Sequence, residues 1–247
     1  MITPRRKPQT SIIIITWNQK KLLKKSLPLI FNQTFRDFEV IVVDSGSTDN
    51  SLDLLSKYRL KVIQYQGKVG EEFSYSRAFN LGAKKAQGEY VVRLSGDAIP
   101  QNRQWLAELL KPLSDPIVAG VYSRQIYHRK SSIYHKFLCF IDFSRFHCLF
   151  EKLACRTMFW GASCALRKKV WQKIPFNEKF PHTEDVAWAL EVAKKGYRTV
   201  YAPQSGVNHS HDESLKKILT KKRFWEGLWL NAKIYFKGVA FCLTRHC

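Results

Sequence analysis

Short apolar runs alternate with helical patterns along the first hundred residues. The runs are rich in β-branched side chains and predict strands that are buried on both faces. These strands are residues 11–16, 39–43, 61–65 and 90–94. The helical patterns between them cover residues 20–31, 52–58 and 74–86. The alternation predicts an α/β fold with a mostly parallel central sheet and helices on both faces.

The pattern changes after Tyr122. Phenylalanines recur at every third position within residues 133–150 and predict a helix with one aromatic stripe; they are Phe137, Phe140, Phe143 and Phe146. Further strands are predicted at 162–166 and 199–202, and a helix at 183–195 that stops at Gly196. We therefore expect one α/β domain over residues 1–213 and a basic, amphipathic helical tail over 214–247.

Polar clusters follow three of the predicted strands. They are Thr16-Trp17-Asn18, the turn-rich segment 44–49, and Ser95-Gly96-Asp97. Ligands of parallel α/β sheets bind beyond the carboxyl ends of the strands. Asp44 and Asp97 would repel each other at this edge unless a cation or a donor-rich ligand lay between them. Gly96 would let a phosphate group approach the backbone. A single acid such as Asp44 is equally explained as a turn former.

Two histidines in the segment 207–211 are candidate metal ligands. Mg²⁺ and Mn²⁺ take few protein ligands and complete their shell with phosphate oxygens and water. His209 and His211 would face opposite sides of an extended chain, so we expect one of them to bind the metal together with Asp97.

Glu184 and Asp185 begin the helix predicted at 183–195. Acids in the first turn are favoured by the helix dipole, which explains them without any catalysis. Alternatively, Asp185 is a general base that accepts a proton from an incoming hydroxyl.

Composition limits the classes of protein. The chain has 247 residues, 45% of them hydrophobic, and six cysteines without a C-x-x-C pair. The length suits a globular domain, and the cysteine spacing argues against a zinc or redox motif. No apolar run approaches the roughly eighteen residues of a membrane span, and no cleavable signal follows the basic N-terminus. We therefore expect a cytoplasmic protein with reduced cysteines.

The net charge of +21 predicts attraction to polyanions. Basic residues flank the aromatic helical patterns at 133–150 and 221–239, which favours an anionic membrane surface over nucleic acid. A solvated basic surface with its aromatics in the core remains an alternative.

Six segments resemble one known family in their order along the chain. They are SIIIITWN, VIVVDSGSTDNS, SRAFNLGAKKAQGEYVVRLSGDAIP, FWGASCALRKKVW, FNEKFPHTEDVAWALEVAKKGY and VNHSH. Together they cover about residues 10–214, and the chain resembles the inverting family-2 glycosyltransferases with the GT-A fold, in particular the bacterial rhamnosyltransferase-like branch. The resemblance implies that a hexose, rhamnose being one candidate, passes from a nucleotide-diphosphate sugar to a glycan or lipid-linked acceptor, as in cell-surface polysaccharide synthesis.

The resemblance also implies roles for individual residues. The nucleotide-sugar would be bound by Thr16, Asn18, Asp44, Arg77, Asn80, Ser95 and Asp97. A divalent cation, Mn²⁺ or Mg²⁺, would be held by Asp97 and His209, with His211 as the second choice. Asp185 would be the catalytic base, and the acceptor side would be formed by Trp160, Gly161, Ala162, Ser163 and Glu184.

The chain departs from the family pattern at one position. Ser95 stands where the family has the first acid of its D-x-D metal motif, and a hydroxyl cannot supply that charge. The metal would then be held mainly by Asp97, a histidine and the diphosphate. Two alternative functions follow from these features, a basic nucleic-acid-binding protein and a sugar-nucleotide-binding module without turnover.

Overall fold

The computed structural model describes residues 6–65, 73–126, 159–180 and 183–209. Eight strands in this part of the chain form one sheet, in the order β3-β2-β1-β4-β7-β6-β8-β5. The strands are β1 Thr10–Thr16, β2 Phe38–Asp44, β3 Lys61–Gln64, β4 Tyr90–Ser95, β5 Ile99–Pro100, β6 Val118–Ile126, β7 Ser163–Arg167 and β8 Arg198–Asn208.

Six α-helices connect the strands within the described ranges. They are α1 Lys20–Phe31, α2 Ser51–Leu55, α3 Tyr75–Lys85, α4 Trp105–Leu110, α5 Lys168–Lys173 and α6 Glu184–Lys194, and a 3-10 turn, Lys111–Ser114, follows α4. Helix α3 begins where Ser74 accepts a hydrogen bond from the backbone N–H of Arg77, as its cap position predicts.

The half of the sheet from β3 to β4 is parallel, as predicted. Thr16 aligns with Asp44 of β2, and Ile15 aligns with Ser95 of β4. The carboxyl ends of these strands therefore meet at one edge, and the polar clusters that follow them lie side by side.

The other half is mixed. Strand β7 is antiparallel to β4 and β6, whereas β6 and β8 are parallel. Strand β6 was not predicted, and β8 is longer than the predicted 199–202, because its second part is polar and depends on pairing with β6. Antiparallel pairing of Asn208 with Ile99 of β5 then brings the end of β8 beside the residues that follow β4.

Alternate side chains of β1 enter two separate cores, which confirms helices on both faces of the sheet. Ile13 and Ile15 pack in the core that includes Phe79 of α3 and Trp188 of α6. Ile12 and Ile14 pack in the other core, where Leu23, Leu27 and Ile30 of α1 and Trp105 of α4 are fully buried. Burial of apolar surface on both sides fixes the sheet edge that carries the polar clusters.

Ser163 lies inside the protein, so its predicted place on the acceptor side is wrong. Its hydroxyl accepts a hydrogen bond from Nε1 of Trp105 at 3.1 Å and lies 2.7 Å from the Ser123 hydroxyl. The alternation of β7 turns Ser163 toward the core that contains Trp105, and these buried hydroxyls satisfy one another.

Several predictions concern segments outside the described residues. These are the helix at 133–150, the tail 214–247 with its helical pattern at 221–239, and His211. The domain boundary at residue 213 remains a prediction for the same reason. Among the helices that the structure describes, none has the length and apolar character needed to cross a bilayer. Cys164, the cysteine in the described part, is a buried free thiol.

Candidate functional site at the carboxyl edge of the sheet

The loops after β1 and β2 bind each other through Asn18. Asn18 adopts a left-handed backbone with φ 50°, which asparagine tolerates better than most residues. Its side-chain Oδ1 accepts a hydrogen bond from the Thr48 N–H at 2.7 Å, and its own N–H donates to the Ser47 hydroxyl at 2.9 Å. These bonds hold the two loops together at the edge where the nucleotide was predicted to bind.

Asp44 is fully buried at the end of β2 and organises the turn that follows. Its Oδ2 accepts hydrogen bonds from the N–H groups of Gly46 at 3.1 Å and Ser47 at 3.0 Å, and its Oδ1 accepts one from the Ser47 hydroxyl. Gly46 has φ +80°, which a residue with a side chain rarely adopts. The contacts are those of a turn former, and binding of the base or ribose by Asp44 remains a prediction.

Asp49 supports the same loop, and the sequence reasoning did not single it out. Its carboxylate accepts hydrogen bonds from the N–H of Lys20 at 2.8 Å and of Ser51 at 3.0 Å, so it caps the starts of α1 and α2 together. Burial acts to raise the pKa of Asp49, but the hydrogen bonds outweigh it and the pKa lies below its usual value. Its role could have been found from the sequence, because an acid two residues before the first residue of a helix, here Ser51, can cap that helix.

Gly96 is required by the protein's own packing. A Cβ at this position would collide with Oε1 of Gln19 and lie 2.8 Å from Oγ1 of Thr16. The Gly96 N–H also donates to the carbonyl oxygen of Ile15 at 2.8 Å. Packing against Thr16 and Gln19 is thus sufficient to explain this glycine, and the approach of a phosphate group to it remains a prediction.

Arg77 and Asn80 lie on α3 and contact the segment after α5. Nε of Arg77 is 3.5 Å from a carboxylate oxygen of Glu178, and the arginine side chain is half exposed. Asn80 is buried, donates to the carbonyl oxygen of Phe176 at 2.8 Å and accepts from Nε1 of Trp171 at 3.0 Å. Asn80 thus joins two helices, and the predicted roles of both residues at the diphosphate remain predictions.

Asp97 and His209 are brought together by the β5–β8 pairing. Oδ1 of Asp97 lies 3.4 Å from Nε2 of His209, and both side chains are mostly buried. Nδ1 of His209 lies 2.8 Å from Oε1 of Gln125. Because an amide oxygen only accepts hydrogen bonds, Nδ1 carries the hydrogen and Nε2 is the nitrogen that faces Asp97. Gln125 was missed because β6 was not predicted.

This donor pair fits a divalent cation that keeps most of its shell for other ligands. Metal–ligand distances of about 2.0–2.2 Å are compatible with two protein donors 3.4 Å apart. A histidine ligand usually donates its second N–H to a neighbouring oxygen, as His209 does to Gln125. The described residues contain no group of three or more potential ligands among His, Cys, Asp and Glu. Ser95 lies half-buried at the end of β4 and adds no charge.

Asp185 lies at the start of α6 with its carboxylate fixed by two backbone groups. Oδ2 accepts the N–H of Gly161 at 2.7 Å, and Oδ1 accepts the N–H of Val186 at 2.8 Å. Burial raises the pKa of Asp185, and the negative charge of Glu184 raises it further. The charge of Arg93 and the two backbone hydrogen bonds lower it, and the resulting pKa is about 7. Such a group gains and loses a proton at neutral pH.

Glu184 forms a buried ion pair with Arg93 of β4. Nη1 of Arg93 donates to Oε1 of Glu184 at 2.7 Å, and the two side chains are 7% and 3% exposed. The guanidinium also lies 5.3 Å from the centroid of the Tyr75 ring. The predicted place of Glu184 on the acceptor side remains a prediction. The contact that the structure shows is the buried ion pair with Arg93. Arg93 could have been noticed in the sequence as the single charged residue within an otherwise apolar strand.

Gly161 lies between the ion pair and Asp185. A Cβ on this glycine would lie 2.6 Å from Nη1 of Arg93 and 3.1 Å from Oδ2 of Asp185. Trp160 is half-buried and packs on the core beside α3 and α6. The acceptor-side roles of Trp160 and Gly161 remain predictions.

Comparison with known proteins identifies the family. The sequence model described as Glycosyl transferase family 2 matches residues 11–174, well over half of the chain. The chain belongs to this family. The resemblance drawn from the six sequence segments is thereby confirmed.

Relatives and solved structures agree with this membership. The family 2 chain is 29% identical over 210 residues to the O-antigen chain rhamnosyltransferase RfbN of Salmonella typhimurium, covering 82% of this chain and 66% of the relative. It therefore spans about two thirds of that relative's length. Solved structures of similar fold include the following two.

The first of these structures is S. aureus TarS 1-349 in complex with UDP-GlcNAc, with a TM-score of 0.69 at 20% identity over 96% of this chain and 72% of that one. The second is the mannosyltransferase PcManGT from Pyrobaculum calidifontis in complex with GDP-Man and Mn²⁺, with a TM-score of 0.66 at 18% identity over 98% of this chain and 76% of that one. The likeness confirms the predicted GT-A fold.

The two parts of the site in this family 2 protein are joined through β4. The N–H of Ser95 donates to the carbonyl oxygen of Ala162 at 2.8 Å. Ala162 directly follows Gly161, which binds Asp185, and Ser95 lies two residues before Asp97. Hydrogen bonds through Ser95, Ala162 and Gly161 therefore connect the segment that carries Asp97 to Asp185.

The titration of Asp185 is the first testable prediction. Carbon NMR of protein labelled at the aspartate carboxyl carbons should show one group that titrates with a pKa of about 7. That resonance should be missing from Asp185→Asn, whereas Asp115→Asn should retain it. A titration of the Asp185 carboxyl near pH 4 would contradict the environment described here.

Proposed function

We propose that this chain is an inverting hexosyltransferase that transfers a sugar from a nucleotide-diphosphate donor to an acceptor hydroxyl. The observation that carries the proposal is Asp185, a carboxylate with a pKa of about 7 that is fixed by the Gly161 N–H. A general base works best when its pKa lies near the working pH. Family membership and the adjoining Asp97–His209 pair support the same reaction.

The donor diphosphate would bind at the part of the edge that carries Asp97 and His209. Asp97 and Nε2 of His209 would hold a divalent cation, and Gln125 would orient the imidazole ring. Asp97 and His209 would thereby place positive charge beside the departing diphosphate. The solved complex of PcManGT with GDP-Man and Mn²⁺ supports a metal in this fold.

Asp185 would activate the acceptor. The acceptor oxygen attacks the anomeric carbon while its proton passes to the Asp185 carboxylate. The bond to the diphosphate breaks at the same time, and its electron pair leaves with the diphosphate. A single displacement of this kind inverts the anomeric centre and needs no covalent sugar–enzyme intermediate.

The proposed donor is a deoxythymidine-diphosphate sugar such as that of rhamnose, and the proposed acceptor is a glycan or lipid-linked glycan of a surface polysaccharide. Similarity to the O-antigen rhamnosyltransferase supports both. TarS was solved with UDP-GlcNAc, so uridine-diphosphate sugars are the competing donors. A thermal-shift screen of nucleoside diphosphates and their sugars, with and without Mn²⁺, identifies the base by its largest stabilisation.

Substitution of Asp185 tests the reaction. Asp185→Asn should lower kcat by about 10²–10⁴-fold, because the acceptor loses its base. In the wild type the base must be ionised, so kcat should fall about tenfold for each pH unit below about 7. Release of the nucleoside diphosphate from the donor measures both effects.

Asp115→Asn is the matched control, because Asp115 pairs with Arg198 away from this edge. It should keep the wild-type kcat. Equal turnover by Asp185→Asn and wild type would exclude Asp185 as the base. No turnover by the wild type with any sugar nucleotide, despite binding, would favour a module without catalysis.

Metal affinity should respond in opposite directions to two substitutions. Asp97→Asn removes the charged ligand and should weaken Mn²⁺ binding at least about tenfold, whereas Ser95→Asp restores the first acid of the motif and should tighten it. Calorimetry with Mn²⁺ in the presence of the nucleoside diphosphate measures both. The half-exposed Asp37 gives a control, Asp37→Asn, that should not change the affinity. Unchanged affinity in Asp97→Asn would remove this residue from the metal site.

We also propose that the protein binds peripherally to anionic membrane, where a lipid-linked acceptor would be presented. The net charge of +21 and the exposed lysines of α1, Lys21, Lys24 and Lys25, support an electrostatic attraction. The amphipathic sequence patterns at 133–150 and 221–239 support insertion of aromatic side chains at the surface.

Sedimentation with vesicles tests this association. The protein should pellet with vesicles that contain phosphatidylglycerol, remain in solution with neutral vesicles, and dissociate as salt rises. DNA and RNA binding at the same salt concentration is the comparison. If the protein pellets with neither kind of vesicle, or binds only nucleic acid, the membrane proposal is contradicted.

A further inference from the structure

Arg93 occupies a position that normally holds an apolar side chain. It lies in the middle of β4, paired in register with Ile13 of β1 and Cys164 of β7. Its side chain is 7% exposed, and its guanidinium carbon lies 5.3 Å from the Tyr75 ring and 5.9 Å from the Phe176 ring. A charge in such surroundings is costly unless it is compensated.

The contacts of Arg93 lead directly to Asp185. Nη1 donates to Oε1 of Glu184, the residue before Asp185, at 2.7 Å. The same nitrogen would lie 2.6 Å from a Cβ on Gly161, so the guanidinium lies directly against this glycine. The N–H of Gly161 in turn donates to Oδ2 of Asp185.

We propose that Arg93 is a positioning residue for the reaction, which neutralises Glu184 and supports the Gly161 backbone and thereby sets the orientation and the charge environment of Asp185. The inference rests on the proposed function, because it assigns Arg93 a part in the work of the base. In this role Arg93 acts only through Glu184 and Gly161 and does not touch the acceptor.

The charges around Asp185 give this inference its direction. In the described part of the chain, Glu184 of α6 raises the pKa of Asp185 and Arg93 of β4 lowers it. Cys164 of β7 is a neutral thiol at working pH, because burial raises its pKa to about 12. Loss of the Arg93 charge should therefore raise the pKa of Asp185, and loss of the Glu184 charge should lower it.

If the Arg93–Glu184 ion pair served stability alone, its location beside Asp185 would be unexplained. Buried pairs can often be replaced by apolar side chains without loss of stability, and the neighbours of Arg93 are aromatic. A pair that serves stability alone has no reason to adjoin both the residue before Asp185 and the glycine that binds it. A pair that controls the base must lie there.

The pH dependence of kcat separates the two roles. Arg93→Met should move the acid limb of kcat to higher pH by about one unit or more, which is a loss of about tenfold at a pH below the limb. Arg93→Lys keeps the charge, so its acid limb should lie close to that of the wild type. Glu184→Gln keeps an acceptor for Arg93 and should move the limb to lower pH. The donor KM should stay within about twofold in all three, because the diphosphate side is untouched.

Arg198→Met is the control. Arg198, at the start of β8, forms an ion pair of the same length, 2.7 Å, with Asp115. It should leave the limb in place. Folding of every variant is checked by thermal unfolding and by binding of the nucleoside diphosphate. If Arg93→Met does not fold, Glu184→Gln and Arg93→Lys still give the test, since their expected limbs differ from each other.

Two results would overturn the inference. One is an equal loss of kcat at every pH without a shift of the limb in Arg93→Met or Glu184→Gln. The other is a shift of the same size in Arg198→Met. The proposed function fails separately, if Asp185→Asn retains wild-type turnover or if no sugar nucleotide is turned over.

Discussion

Two adjacent carboxylates at the start of α6 lie mostly inside the protein, and the arginine of β4 makes this arrangement possible. Glu184 is paired with Arg93 at 2.7 Å, which leaves Asp185 to accept the backbone N–H groups of Gly161 and Val186. Without the compensating charge, two acids this close would repel each other and take up protons. Burial and Glu184 together still raise the pKa of Asp185 to about 7. The remaining features of the site are placed relative to this group.

Strand β4 connects the proposed base to the proposed donor side. Arg93 lies within the strand, and Asp97 follows its end, where pairing of β5 with β8 brings His209 to 3.4 Å from Asp97. The hydrogen bond from Ser95 to Ala162 fixes the Gly161 segment against the same strand. A small movement of β4 would therefore disturb both Asp185 and the Asp97–His209 pair.

The sequence predicted features that depend on local pattern. The parallel strands β1 to β4 were predicted because each is a short β-branched run. Asp97 and the histidine pair were candidates because each follows a predicted strand, and the family resemblance then favoured His209 over His211. The Arg93–Glu184 pair could not be predicted, because its partners are 91 positions apart and nothing in either segment indicates the other. At Gly96 the sequence suggested only a ligand-based explanation, whereas the structure shows that the glycine also makes room for Thr16 and Gln19. Strand β6 and the extension of β8 stabilise each other and carry no separate signal.

In the proposed reaction, one carboxylate deprotonates the acceptor while the diphosphate leaves from the opposite face of the sugar. The anomeric configuration of the transferred sugar tests it most directly. Proton NMR of the product, recorded at once after transfer from a donor of known configuration to an acceptor hydroxyl, should show the opposite configuration at the anomeric carbon. A product with the configuration of the donor would exclude the single displacement, because retention requires a different path from the one that Asp185 provides.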